Sequence, residues 1–285
     1  MIKKRSIKRV IMAADIQMGN IAMKQSLPIG EYDQIDPFLL LHHFGPREQI
    51  GGERSIMDVG PHPHRGFETV TFIFEGEIHH RDSRYNDEVI KSGGVQWMTA
   101  ARGMVHSEGP SKAFVENGGT LEIIQLWINL PSHLKMNQPE YFGLQKEQIP
   151  VVSENGFEIQ VVSGEYKEHK GAIQTISNTD ALIVHHKDEG HINLQIPPSK
   201  SILFYQLDGS CEVNGIHSGP NRMLVFNDDG DELEIKASDK GKFILLSSEP
   251  YNEKVTSHGP FVMNNQTEIL QAMRDYQMGK MGVLI

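Results

Sequence analysis

Two short segments carry residues able to do chemistry together. Gly60 to Glu68 reads Gly-Pro-His-Pro-His-Arg-Gly-Phe-Glu, which sets His62 and His64 two residues apart, and Gly103 to Pro110 holds His106 and Glu108 at the same spacing. In a strand, residues i and i+2 point to one face, so each pair projects side by side. At ~3.3 Å rise per residue the two histidines stand about 6–7 Å apart at Cα, near enough for both imidazoles to converge on one ion. If the two strands face each other across a barrel, three imidazoles and one carboxylate meet at a point. Imidazole suits Fe, Zn, Cu or Ni, and a carboxylate adds a hard anionic donor without a thiolate. Four such ligands leave open positions on an octahedral ion, which is the arrangement of a catalytic or sensing centre rather than a closed structural clamp. A lone His-x-His pair is more often a surface or core feature. The second pair at the same spacing, flanked by glycines, turns the balance toward a metal centre. Pro63 between the histidines fits an edge strand or a strand start. Glu68, Arg65 and Arg102 are either partners that orient the ligands or plain solvated polar residues.

The elements that must hold these segments are strands. Thr69–Phe74, Leu121–Leu130, Glu158–Val162, Ser201–Leu207, Met223–Phe226 and Lys242–Leu246 are short, apolar and rich in β-branched and aromatic residues, as strands are. Turn signals such as Glu75-Gly76, Asn155-Gly156, Asp208-Gly209 and Asn214-Gly215 separate them. Many short strands so spaced predict an all-β chain of antiparallel sandwiches or barrels. One helix is expected near the end, where Asn265 with Glu268 makes a capping-box-like start and Ile269, Leu270, Met273 and Tyr276 or Gln277 follow at helical spacing. Pro131–Gln138 is a weaker helical candidate inside a polar stretch, Ser132 to Gln148, that reads as a linker. The segment around Gly76 faintly resembles that around Gly209, and two tandem barrels follow: 1–134 with the metal and 135–285 without it, ending in the helix.

Composition narrows the function classes. The chain has 285 residues, 37 acidic against 27 basic, and a net charge of −10. That balance disfavours general nucleic-acid binding, because phosphate contacts need a basic face. The basic run Lys3, Lys4, Arg5, Lys8 and Arg9 reads as a solvated first strand. No apolar window is long enough to span a membrane, and the run Val10–Ala14 is too short for a signal-peptide core. With one cysteine, Cys211, an internal disulfide is excluded and an intracellular, cytoplasmic setting is expected. Among the fourteen histidines, the adjacent pairs His42-His43, His79-His80 and His185-His186 point to opposite faces if they lie in strands. They receive no role, and neither do the isolated His133, His169, His191 and His217.

The motifs match a family. His62-x-His64-x-x-x-Glu68 followed by Gly76, then Gly103-x-x-His106, resembles the two cupin motifs. Pro61 to Val70, Gln96 to Glu108, Asp36 to Leu41 and His258 to Asn264 resemble signature blocks of the pirin family across essentially the whole chain. The resemblance implies a bicupin: two antiparallel β-barrels with one metal in the N-terminal barrel. It implies His62, His64, His106 and Glu108 as ligands, with Glu68 outside the set. It implies iron, most often Fe(II), with zinc, manganese, nickel, cobalt and copper as alternatives. Ala101 and Gly109 depart from the family pattern and should affect packing at the pocket mouth. Counting back from Gly209 by the ligand offsets gives Gln195 and Pro197, so the C-terminal barrel lacks the metal pair.

The resemblance further implies two functions of different class. One is an oxidoreductase of the quercetin 2,3-dioxygenase type, a quercetinase. It uses O2 to cleave a flavonol or another enolisable substrate with release of carbon monoxide, and Glu108 is the catalytic base for the substrate hydroxyl. The other is an iron-binding, redox-sensing regulatory protein that binds a transcriptional or metabolic protein partner. Neither implies direct nucleic-acid or membrane binding.

Overall fold

Val, Ile, Phe and Thr cluster in runs too short and too often broken by Gly and Asn to sustain helices, so the chain folds almost wholly as antiparallel strands. The computed structural model describes residues 3–284. The expected strands all form, with ends shifted by one or two residues: Phe67–Glu75, Gly119–Asn129, Phe157–Ser163, Ser201–Asp208, Arg222–Phe226 and Gly241–Ser248. The chain divides into two compact units, each assembled from separated stretches.

The unit that holds the histidine motifs comprises Asp15–Met23, Leu39–Lys146 and the segment from Tyr251 onward. Its smaller sheet places Val59–His64 beside Met104–Gly109, then Glu77–Asp82 and Asp87–Lys91. In its larger sheet Glu140–Leu144, Val95–Thr99, Phe67–Glu75 and Gly119–Asn129 lie side by side. Ile78 and Ile90 of the first sheet pack on Ile73, Leu121 and Ile123 of the second, with Phe44 and Met57 closing the core. Burial of these side chains contributes about 1.5–3 kcal/mol apiece.

The other unit comprises the N-terminal segment up to Ala14, Lys24–Phe38 and Glu147–Pro250. Its large sheet runs Ile7–Met12, Arg222–Phe226, Ser201–Asp208, Gly241–Ser248, Asp180–His186, Phe157–Ser163 and Val151–Glu154. Gly190–Gln195, Glu232–Ala237, Cys211–Val213 and Ile216–Ser218 form the smaller one. Phe204, Leu224, Val184, Ile235 and Phe243 fill the space between them.

Three expectations change here. A division between residues 134 and 135 follows the chain, whereas the compact units exchange their ends. Ile7–Met12 pairs with Arg222–Phe226, and the C-terminal helix packs on Val105 through Ile269 and Ala272. The expected linker is structured: Glu140–Leu144 pairs with Val95–Thr99, and 132–136 is a series of turns rather than a helix. The first basic run is not wholly solvated, since Arg5 is buried, donating to Asp228 at 2.6 Å and to the Asn227 carbonyl at 2.6 Å.

The helix itself, Gln266–Gln277, starts as expected. The Asn265 side chain accepts from the Glu268 amide at 3.0 Å, and Glu268 accepts from the Asn264 amide at 2.9 Å. Leu270, expected on the packed face, is 56% exposed; Ala272 takes its place.

Candidate metal centre

His62 and His64 share a face of Val59–His64, and His106 is the register partner of His62 on the adjoining strand. The two motif strands are therefore neighbours in one sheet, not opposed across a barrel as the spacing suggested. Antiparallel pairing brings His106 beside His62 directly, and an irregularity between His106 and Glu108 shifts the register. Ring centroids stand 4.7 Å apart for His62–His64, 4.3 Å for His62–His106 and 4.9 Å for His64–His106. One nitrogen from each of the three lies within 4.8 Å of the others.

The protons on these rings are fixed by what surrounds them. His62 Nδ1 lies 2.8 Å from the Gly60 carbonyl, and His64 Nδ1 3.4 Å from the Pro260 carbonyl. A carbonyl only accepts, so both Nδ1 atoms donate, and in the neutral ring Nε2 is the nitrogen with a free lone pair. Burial, with the charge of His62 adding, pushes the His64 pKa down to about 3. Burial also pushes His106 well below its ordinary value, with His64, His62 and His80 adding. Both rings are thus neutral near pH 7 and can donate a lone pair. His106 Nε2 is buried and has no hydrogen-bond partner among the described residues. An unpaired buried nitrogen costs free energy, and three imidazoles converging on that spot fit a metal cation.

Glu108 joins His106 in a second cluster, with His80. Its carboxylate accepts from Gln125 Nε2 at 2.8 Å, from Thr71 Oγ1 at 3.3 Å and from Gln96. This buried anion is held by neutral donors, and a nearby cation would balance its charge. Gln96, Gln125 and Thr71 received no role in the sequence reading, as polar residues inside apolar strands often do not.

His80 was also passed over. It is buried, donates to Asp82 at 3.0 Å, faces His106 at 3.5 Å between Nδ1 atoms, and stacks on Tyr141 at 4.1 Å. His79 and His80 do point to opposite sides of their strand. The signal overlooked was a third i, i+2 pair, His80-x-Asp82.

The remaining candidates act elsewhere. Arg65 is buried, donating to Asp275 at 2.9 Å and to the Arg102 carbonyl at 2.6 Å. It ties the motif loop to the C-terminal helix. Glu68 accepts from Thr99 at 2.7 Å on the other sheet. In the second unit Gln195 donates to Glu232, and the Pro197 carbonyl accepts from Arg5.

A fold of two such β units defines a cupin-type protein, and the histidine cluster fits a metal ion. Comparison with known proteins gives the particular family. The Pirin family model matches residues 20–128, and that of the Pirin C-terminal cupin domain matches 181–282. A Pseudomonas aeruginosa protein named "Putative quercetin 2,3-dioxygenase PA2418" is 39% identical over 86% of this chain and 86% of its own. A tomato (Solanum lycopersicum) protein named "Pirin-like protein" is 34% identical over 97% of this chain and 92% of its own. The crystal structure of a quercetin 2,3-dioxygenase from Acinetobacter baumannii superposes with a TM-score of 0.91 at 33% identity, covering 99% of this chain and 100% of that one. The chain belongs to the pirin family and is a bicupin. Among the described residues, no helix is long and apolar enough to cross a membrane.

Proposed function

We propose that this protein is a dioxygenase of the quercetin 2,3-dioxygenase type, acting on a flavonol or a similar enolisable compound at one iron ion. His62, His64, His106 and Glu108 would hold the ion. The observation that carries the reading is the buried, unpartnered His106 Nε2 beside His62 and His64, whose Nδ1 protons are given to carbonyls. The names of relatives and of a solved structure at 33% identity support the substrate class. The bound metal would supply Lewis acidity toward a substrate oxygen and a means of engaging O2.

The chain's own residues have separable tasks. Glu108 accepts the proton of the substrate hydroxyl. Gln96, Gln125 and Thr71 orient its carboxylate and keep it in place. A general base so positioned contributes typically 10²–10⁴-fold. Phe67 and Trp127 flank His64 at 5.0 and 5.3 Å between ring centroids and give the site an apolar wall that suits an aromatic substrate.

The test is to load metal-free protein with Fe(II) under anaerobic conditions, add quercetin, then admit air. Loss of the flavonol absorbance with one carbon monoxide released per flavonol is expected. Iron bound tightly with several flavonols left intact would overturn the dioxygenase reading and leave a metal-binding protein of other function.

A further inference from the structure

Two of the three histidines have their tautomer set by a carbonyl, but His106 does not. Its Nδ1 faces another imidazole nitrogen, His80 Nδ1, at 3.5 Å. Two bare nitrogens repel and two N–H groups collide, so one must donate and the other accept. Which one donates is decided one residue further out. His80 Nε2 lies 3.0 Å from Asp82 Oδ2. A carboxylate oxygen only accepts, so His80 donates from Nε2, and as a neutral ring it presents a bare Nδ1. His106 must then donate from Nδ1, which leaves Nε2 without a proton.

Asp82 is itself fixed. Its Oδ1 accepts from the Arg84 amide at 2.8 Å and the Asn86 amide at 3.2 Å, and its Oδ2 accepts from Asn86 Nδ2 at 2.7 Å. Burial alone would push its carboxyl up, but the hydrogen bonds from His80, Asn86 and Arg84 outweigh that and hold it below the ordinary carboxylate value. The His80 ring, stacked on Tyr141 with only 10° between planes, cannot swing away freely.

We infer that Asp82, acting through His80, fixes His106 in the tautomer whose Nε2 lone pair is free for the metal. Asp82 and His80 are thus positioning residues for metal capture. The inference rests on the assignment of His106 as a ligand. Partners of this kind are worth 10–100-fold in metal affinity where they have been removed.

A substitution that preserves shape but reverses the proton logic separates this role from a structural one. In Asp82→Asn, the carbonyl Oδ1 must stay with the Arg84 and Asn86 amides. The amide nitrogen therefore takes the place of Oδ2 and donates to His80 Nε2, and the Asn86 side-chain amide, which donated to Oδ2, turns its oxygen toward it. His80 then donates from Nδ1, His106 accepts there, and the proton is forced onto His106 Nε2, where the metal should bind. Asp82→Ala removes the instruction without reversing it, yet loses the turn contacts that Asn keeps.

Two measurements test this on the full chain. In metal-free protein labelled with ¹⁵N-histidine, long-range ¹H–¹⁵N spectra assigned with His80→Gln and His106→Gln variants should show His106 protonated on Nδ1 and His80 on Nε2. The opposite pattern overturns the inference and needs no variant at position 82. Zn(II), a redox-silent probe, is then titrated against a chromophoric chelator near pH 7. Affinity should fall 10–100-fold in Asp82→Asn and less in Asp82→Ala. Equal affinity in wild type and Asp82→Asn, or the larger loss in Asp82→Ala, overturns the relay while leaving the ligand assignment standing. Wild type that takes up no Zn(II) overturns the ligand assignment and the inference with it. Two Zn(II) per chain, one of them lost in His80→Gln, would place a cation between His80, His106 and Glu108 and overturn the hydrogen-bonded relay.

Discussion

A proton on a nitrogen decides whether a histidine can act as a ligand, and in this cluster the groups behind each ring bias that choice. His62 and His64 use carbonyls; His106 uses a second imidazole. Removing one donor of a small set leaves a poor chelate. His62→Ala and His106→Ala are therefore each expected to reduce bound metal to under about a tenth of the wild-type content, read by elemental analysis of protein purified without added metal. Glu108→Gln is a different test. Gln96, Gln125 and Thr71 all donate to the carboxylate, so a carboxamide there faces donors with a donor of its own. Gln96 Oε1 has no hydrogen-bond partner among the described residues, and a flip of that amide relieves the conflict. The variant should fold and keep much of its metal while flavonol turnover falls about 10²–10⁴-fold; undiminished turnover would remove Glu108 as the base. The donor types and their i, i+2 spacing were legible in the sequence. His80 was not, because adjacency to His79 hid the pair it makes with Asp82.

The C-terminal helix and the strap before it lock the motif loop from behind. The Pro260 carbonyl accepts from His64, the Arg65 amide donates to the Pro260 carbonyl, and the Val262 amide donates to the Arg65 carbonyl. Lys135 is buried there and donates to the Gly66 and Val262 carbonyls. Gly66, at φ +92°, admits this approach because a Cβ would collide with the Val262 carbonyl oxygen. Asp275 anchors the helix to Arg65. Hydrogen bonding to Lys280, with Arg65 and Gln271 adding against the cost of burial, pushes its pKa down from 3.8 to about 2. A carboxyl depressed in this way adds stability above its unfolded value and loses it as pH falls toward the folded one. Asp275→Ala should cost about 3 kcal/mol near neutral pH by stranding the buried Arg65. That difference should hold down to roughly pH 4 and then shrink toward pH 2. Urea melts of both proteins across this range give the comparison, and a gap that widens on acidification would refute it. The helix was readable from its cap and spacing, whereas its packing against the unit that holds the histidine motifs was not.

Each compact unit borrows an end of the chain. Ile7 and Val10 pack on the core of the second unit, and their strand covers the edge of Arg222–Phe226. Deleting residues 3–14 should expose that edge and the buried face beneath it, a known route to association. The expected outcome is a lower unfolding temperature and aggregation on heating, with the metal content of the folded fraction unchanged, since no histidine of the cluster lies in that unit. Loss of metal in step with loss of the strand would contradict this division of labour.

The sequence by itself determined the chemistry on offer and the local geometry. Strand runs, turn residues, a helix cap and two spaced pairs of candidate ligands all depend on neighbours a few residues away. Only the tertiary structure decided which strands adjoin, which unit receives each end, and which groups stand behind the candidate ligands. Those outcomes depend on pairing between distant segments, such as His64 with Pro260 across 196 residues. Local pattern constrains such pairings only weakly, because many registers bury the same apolar faces and the packed whole selects among them.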